Sequence, residues 1–324
     1  MQSIRKPVIS LILSALLLSL SGAQELAHAR NARQSDAPSF GVWRWSNQDI
    51  ETQRLIEFAA GHGVNEIYWS AGFTTPRWCE ETATELLTAA HKNGIAVYYL
   101  TGDWSWIHRD DGFIARMEAF RAWQASTCEA TRFAGIHLDV EPHQDPDWRD
   151  GDAVTRNRLL QSYIDFKVQA TDRFGSMDWS IPFWWSTQDY TRIMYRGETI
   201  YLYRAAILEA NRVFVMSYRN TAQATYDIAE HHVRFAQEVG RPIFLSALAQ
   251  CGAEDPAHDH VYYSHLGYEY MMRELKALRE LVDDPSVGIA IHEIVGWYQM
   301  WREDVEAHNV SLVKRGGNRA DKLS

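Results

Sequence analysis

Eight short apolar segments alternate with longer helical patterns along the chain, and this alternation limits the fold more than any other feature. The strand-like segments are residues 40–45, 66–70, 96–100, 134–141, 178–185, 212–218, 242–248 and 288–293. The intervening stretches carry apolar residues at helical spacing, as in 50–62, 80–93, 113–128 and 263–281. Gly63, Gly94 and Gly240 each stand between a helical pattern and the next strand, where a left-handed residue ends a helix. Eight strands alternating with helices in one domain predict the α/β class and a single closed (β/α)8 TIM barrel. An open doubly wound sheet is the alternative. It would carry a glycine-rich phosphate loop after its first strand, and Trp43-Arg44-Trp45-Ser46-Asn47 is no such loop.

The ends of the chain read differently. Arg5 and Lys6 precede an apolar run over 8–20, followed by Ser21-Gly22-Ala23. This is the charge, core and cleavage pattern of an export signal over residues 1–23. An uncleaved anchor is the competing reading, but a spanning helix needs about 20 apolar residues. Residues 24–38 read as a flexible lead-in, 39–310 as the barrel and 311–324 as a disordered basic tail. The expected location is therefore secreted or periplasmic.

Composition narrows the function. Apolar residues make up 46% of the 324-residue chain, enough for a large core. A net charge of −10 argues against nucleic acid, which attracts basic stripes, and against strongly anionic polysaccharides. Cys79, Cys128 and Cys251 allow at most one disulfide, and their spacing matches no metal motif. They read as thiols of little consequence.

The chemistry concentrates in the fourth strand, Phe133-Ala-Gly-Ile-His-Leu-Asp-Val-Glu141. Strand side chains alternate between faces. Ala134, Ile136, Leu138 and Val140 suit the helix layer, so Gly135, His137, Asp139 and Glu141 face the interior. Polarity rises toward the C-terminal end, where barrels of this kind keep their active sites, and Pro142 stops the strand there. Asp139 and Glu141, about 6.7 Å apart along the strand, are close enough for one carboxylate to raise the pKa of the other. A protonated Glu141 beside an ionised Asp139 is what an acid catalyst needs at neutral pH. The competing readings are a metal site using these carboxylates with His137, and a purely structural set of salt bridges.

The same segment resembles the fourth-strand signature of the family 18 glycoside hydrolases, the chitinases and their relatives, which follow a Phe-Asp-Gly-Ile-Asp-Leu-Asp-Trp-Glu pattern. Val215-Met216-Ser217-Tyr218 resembles the family's sixth-strand Met-x-Tyr. Gly102-Asp103-Trp104 stands where the third strand usually has Gly-Gly-Trp, and residues 288–293 resemble the eighth-strand segment that usually ends in Trp-Glu. The resemblance implies that Glu141 is the proton donor, that Asp139 orients the substrate's acetamido group and that Tyr218 hydrogen-bonds it. It also implies that the acetamido oxygen is the nucleophile, the substrate-assisted exception to the two-carboxylate scheme. The chain departs from the pattern at Ala134 and His137, where the family has aspartates, at Arg219 for another aspartate, and at His292 for tryptophan.

Thirteen tryptophans are a heavy load. Many, including Trp43, Trp45, Trp69, Trp104, Trp106, Trp184, Trp185 and Trp297, lie at or just beyond expected strand ends. Flat aromatics there suit a groove that stacks sugar rings. Trp104 and Trp184 are the first candidates, with Trp45, Met216, His137, His292 and Asp103 as further substrate-binding residues. Asp103 is also the first candidate for a second carboxylate. Asp145, Asp147 and Asp150 read as a solvated loop, and of His231 and His232 one is expected to be exposed. The combined expectation is an exported, monomeric glycoside hydrolase acting on a glycan with 2-acetamido or 2-amino sugars, without cofactor or metal, and not bound to a membrane once the signal is cleaved. The alternatives are a non-catalytic glycan-binding barrel and a metal-dependent hydrolase or deacetylase built on His137 and Asp139.

Overall fold

The computed structural model of the protein describes residues 38–45, 50–249 and 256–320. The expected export signal and Cys251 lie outside the described residues, as does the lead-in up to residue 37. Eight parallel strands close into a barrel: β1 (Phe40–Arg44), β2 (Glu66–Trp69), β3 (Ala96–Thr101), β4 (Gly135–Leu138), β5 (Asp178–Pro182), β8 (Val213–Met216), β9 (Ile243–Leu248) and β10 (Val287–His292). Ring closure runs through Phe40 opposite Ile289 and Gly41 opposite Ala290. Helices fill the crossovers, among them Thr52–Gly61, Glu80–Lys92, Asp111–Ser126, Ala153–Phe174, Ala222–Glu238 and Tyr268–Val282. Gly63, Gly94 and Gly240 take φ of 75°, 70° and 66°, the left-handed turn expected of them.

All eight strands fall on the segments expected, but β4, β5 and β8 leave the ladder earlier than the apolar runs do. Their last residues turn outward to build the mouth: Phe183–Ser186 becomes a 3-10 turn, and Glu141 opens another over Pro142–Gln144. Two elements differ from the sequence reading. A two-stranded hairpin, β6 (Arg192–Tyr195) and β7 (Glu198–Tyr201), interrupts the crossover after β5. The last helix, Ile294–Ala320, runs through much of the stretch read as a disordered tail, since no proline interrupts it. Among the described residues no helix is long and apolar enough to cross a membrane.

The hairpin lies along helix Ala153–Phe174. Gln161 accepts from the Met194 amide at 2.8 Å and donates to the Met194 carbonyl at 3.0 Å. One turn earlier, Asn157 donates to the Tyr190 and Arg192 carbonyls. Two side-chain amides thus stand where a neighbouring strand's backbone would be.

Inward side chains fill the barrel in layers, as the alternation of strand faces requires. The lowest layer is ionic. Arg212, just before β8, donates from Nη1 to both Glu66 oxygens at 2.8 Å and from Nη2 to Asp178 at 2.6 Å. Tyr68 adds a hydrogen bond to Glu66 at 2.6 Å and Asn211 one to Asp178 at 2.9 Å. The guanidinium carbon lies 4.4 Å from the Tyr98 ring centre. Above it is an aromatic layer in which His137 meets Phe214 at 4.4 Å, Tyr68 at 4.8 Å and Trp43 at 5.6 Å between ring centres. Leu100, Phe244 and Ala290 complete this inner cluster. The larger apolar core lies outside the barrel wall, between strands and helices.

Two stability predictions follow from burial. Arg212→Leu leaves Glu66 and Asp178 buried without their counter-ion, a loss of about 3–5 kcal/mol readable as a lower urea midpoint. His232, on helix Ala222–Glu238, is fully buried with neither ring nitrogen hydrogen-bonded. Burial, helped by His231, lowers its pKa from 6.5 to about 3. Between those values the unfolded chain binds a proton that the native state refuses, so stability falls as pH drops below about 6.5. His232→Leu should therefore lose about 2 kcal/mol less than the parent between pH 7 and pH 5 in paired urea titrations. An equal loss in both would show that His232 is not the group responsible.

Candidate active site

The ladder hydrogen bond from the Asp139 amide to the Thr101 carbonyl, 3.0 Å, carries the β4 backbone past its last paired residue. It keeps the side-chain alternation in phase, so Asp139 and Glu141 both follow His137 on the inner side. Gly102 makes the approach of β3 possible: a Cβ there would overlap the Asp139 carbonyl oxygen.

A polar chain rises through the barrel to the pair. The Ser180 hydroxyl lies 2.8 Å from His137 Nε2 and is close enough to Asp139 to lower its pKa. A hydroxyl has one proton to give. Directed at the Asp139 carboxylate, it would leave the hydroxyl oxygen to accept from His137 Nε2–H. The remaining His137 Nδ1 is buried without a partner. Burial and the Arg212 charge below hold His137 well under its ordinary pKa, so it is neutral.

Asp139 Oδ1 is buried with no hydrogen-bond partner. Burial raises the Asp139 pKa to about 6, against a smaller lowering by the Ser180 hydroxyl. Glu141 keeps 18% of its side chain exposed. Burial first and the Asp139 charge second raise its pKa to about 8, offset in part by the Gln144 amide. Of the two, Glu141 is the one raised further, and so the one that more readily keeps a proton. Gln144 donates to Glu141 Oε2, so that oxygen is the bare one and the proton belongs on Oε1. His143 Nε2 stands 3.7 Å from Oε1. It is kept neutral, with a pKa lowered to about 4 by burial, among Trp184 at 5.8 Å and Trp148 at 6.3 Å between ring centres.

Tyr218, two residues beyond β8, feels both acids. Burial, Asp139 and Glu141 in that order raise its pKa well above the ordinary value, so its hydroxyl keeps its proton. Its ring lies 5.8 Å from His292. His292 accepts at Nε2 from Trp45 Nε1–H at 2.8 Å, and burial lowers its pKa to about 4. Trp45, His292 and Tyr218 thus adjoin one another, within the electrostatic reach of Asp139 and Glu141 on Tyr218.

Other expected residues serve differently. Asp103 accepts from the Ser105 amide at 2.9 Å and the Ser105 hydroxyl at 2.6 Å, capping the turn Trp104–Ile107. Both bonds fall on Oδ1. Trp104 is half-buried, its ring 6.3 Å from His108, and Met216 is half-buried at the end of β8. Asp145 is not solvated: it is buried, 2.5 Å from His108 Nε2, and caps the short helix Pro146–Asp150. Asp147 and Asp150 are exposed, and His231 is the exposed member of its pair. Of the tryptophans expected at the mouth, Trp43, Trp69, Trp106, Trp185 and Trp297 are core, each at most 4% exposed. Trp45, Trp104 and Trp184 keep exposed surface.

Sequence reasoning missed Ser180, His143, Gln144 and Trp148. Ser180 was findable, two residues after inward Asp178 on β5. The others depend on how the turns after β4 and β5 fold back. Among the described residues no three of His, Cys, Asp or Glu converge as metal ligands. Since Asp139 contributes to the rise in Glu141, Asp139→Asn should lower the Glu141 pKa toward its burial-only value. A carbon-13 carboxyl titration should show that drop, and an unchanged value would mean that the pair is not coupled.

No family model matches the chain. No curated protein matches it either. Solved chitinase structures do. A chitinase from Rhizomucor miehei aligns over 80% of this chain and 95% of its own, at a TM-score of 0.48 and 10% identity. The catalytic domain 2 of a Group II chitinase from Ostrinia furnacalis aligns over 80% and 89%, at 0.45 and 14% identity. A family 18 chitinase from Cycas revoluta, in complex with allosamidin, aligns over 80% and 95%, at 0.45 and 11% identity. Similarity at this level assigns no role to any side chain.

Proposed function

We propose that the protein is an exported glycoside hydrolase that cleaves a glycan containing 2-acetamido or 2-amino sugars, with Glu141 as general acid and Asp139 as its supporting carboxylate. One observation carries the reading. At the C-terminal end of β4, an acid with an exposed edge and a pKa raised to about 8 stands beside a more deeply set carboxylate at about 6. Two acids whose environments push them apart in this way divide into a proton donor and an anion.

Glu141 Oε1–H would protonate the glycosidic oxygen as the bond to the anomeric carbon breaks. The acetamido oxygen of the same sugar would attack that carbon, and water would then open the cyclic intermediate while Glu141 recovers the proton. Three features support this route. Asp139 Oδ1 is an acceptor without a partner, suited to the acetamido N–H. Tyr218 retains its hydroxyl proton, suited to the acetamido oxygen. Asp103, the other candidate for a second carboxylate, has its Oδ1 committed to the Ser105 amide and hydroxyl.

Glu141→Gln should lower turnover at least a hundredfold, since general acid catalysis contributes about 10²–10⁴, with an unchanged thermal midpoint. Near-parental activity in that variant would sink the proposal. Substrate assistance has its own test. Paired acetylated and deacetylated oligosaccharides should be cleaved unequally, the deacetylated one resisting. Equal rates would remove the acetamido nucleophile and leave Glu141 as the acid.

A further inference from the structure

Arg219 follows Tyr218 directly, and its half-buried guanidinium lies 5.1 Å from the Phe183 ring centre. Phe183 opens the turn after β5 and immediately precedes Trp184. β5 and β8 are neighbours in the barrel, so the Arg219–Phe183 contact joins the two lips beside Trp184. The arginine's backbone is fixed on both sides. Thr225 Oγ1 donates to the Arg219 carbonyl at 3.1 Å, and the Asn220 amide donates to the His260 carbonyl at 3.1 Å.

The guanidinium itself is underused. It donates from Nη1 to the Tyr218 carbonyl at 2.7 Å, and among the described residues no other hydrogen bond or ion pair holds it. Burial lowers its pKa with no acid to offset the effect, yet an arginine in such a place stays charged. A fixed, flat cation with open donors, stacked on an aromatic face at the rim of a site, matches the fork of a carboxylate.

The geometry points to Arg219 as the reader of a carboxylate on the glycan, so that the substrate carries an acidic sugar next to the one that is cleaved. This inference rests on the glycoside hydrolase reading and names its substrate class more closely. The acidic sugar belongs at a neighbouring position. Arg219 is held on the Tyr218 carbonyl and the Phe183 ring rather than on either carboxylate of the pair, so an acidic sugar read there is not the one that is cleaved. The protein's net charge of −10 repels polyanions, which favours chains whose carboxylates alternate with neutral sugars.

The test uses the mature chain carrying Glu141→Gln, so that binding is read without turnover. The probes are a tetrasaccharide alternating N-acetylglucosamine with glucuronic acid and the methyl ester of the same compound. Calorimetry should show the acid bound at least tenfold more tightly than the ester, about 1.4 kcal/mol. Adding Arg219→Gln should bring both to the ester's affinity, and Arg219→Lys should restore part of the difference. Equal binding of acid and ester, a preference that survives Arg219→Gln, or no binding of either probe at millimolar concentration would each overturn the inference. Hydrolysis by the parent chain is scored separately. Cleavage of glycans without acid preference would remove the role of Arg219 and keep the hydrolase, whereas acid preference with no cleavage of any glycan would do the reverse.

Discussion

The three-way contact of Arg212 with Glu66 and Asp178 is the constraint on which the barrel interior depends. It ties β2, β5 and the start of β8 together below the aromatic layer, where water is excluded. Two carboxylates around one guanidinium are tolerable in such a place only because nearly every oxygen and N–H has a partner. Tyr68 and Asn211 supply the partners that Arg212 cannot. With that plug in place, the residues stacked above it have a fixed floor.

The consequences rise strand by strand. Burial, and after it the cation beneath His137, keeps the imidazole neutral. Ser180 is hydrogen-bonded to the neutral His137 and lowers the pKa of Asp139. Nothing beneath Asp139 neutralises it, so its charge acts upward on Glu141. The acid at the surface is thus set first by its own burial and then by the Asp139 charge beneath it. His143 and His292, both neutral through burial, add no cation that would undo it.

Much of this could be read from the chain. Strand positions followed from apolar runs, the inner face of β4 from its alternation, and the strand's end from Pro142. Those are local properties, governed by steric period and backbone chemistry. What resisted reading was set by contacts between distant segments. The aspartates illustrate it: Asp103, Asp139 and Asp145 are alike in sequence, but one caps a turn, one tunes an acid and one is buried against His108. The tryptophans behave in the same way. Trp184 and Trp185 are adjacent, yet one keeps exposed surface and the other is sealed, because the turn Phe183–Ser186 rotates them apart. The inserted hairpin lacked a two-residue Asn-Gly type of signal, its turn being Arg196-Gly197, and it merged with the helical pattern around it.

That hairpin has a further consequence for the protein as one molecule among many copies. An open strand edge is a template on which a second chain can pair, and such pairing leads to aggregation. The Asn157 and Gln161 amides occupy the β6 edge with bonds of the kind a strand would make. Being attached to a helix, they complete the edge without extending it. Exposed Met194 would otherwise advertise that edge to any unfolded neighbour. Two polar side chains one helical turn apart therefore act as a molecular stopper, protecting the solubility of an insertion that plays no part in closing the barrel.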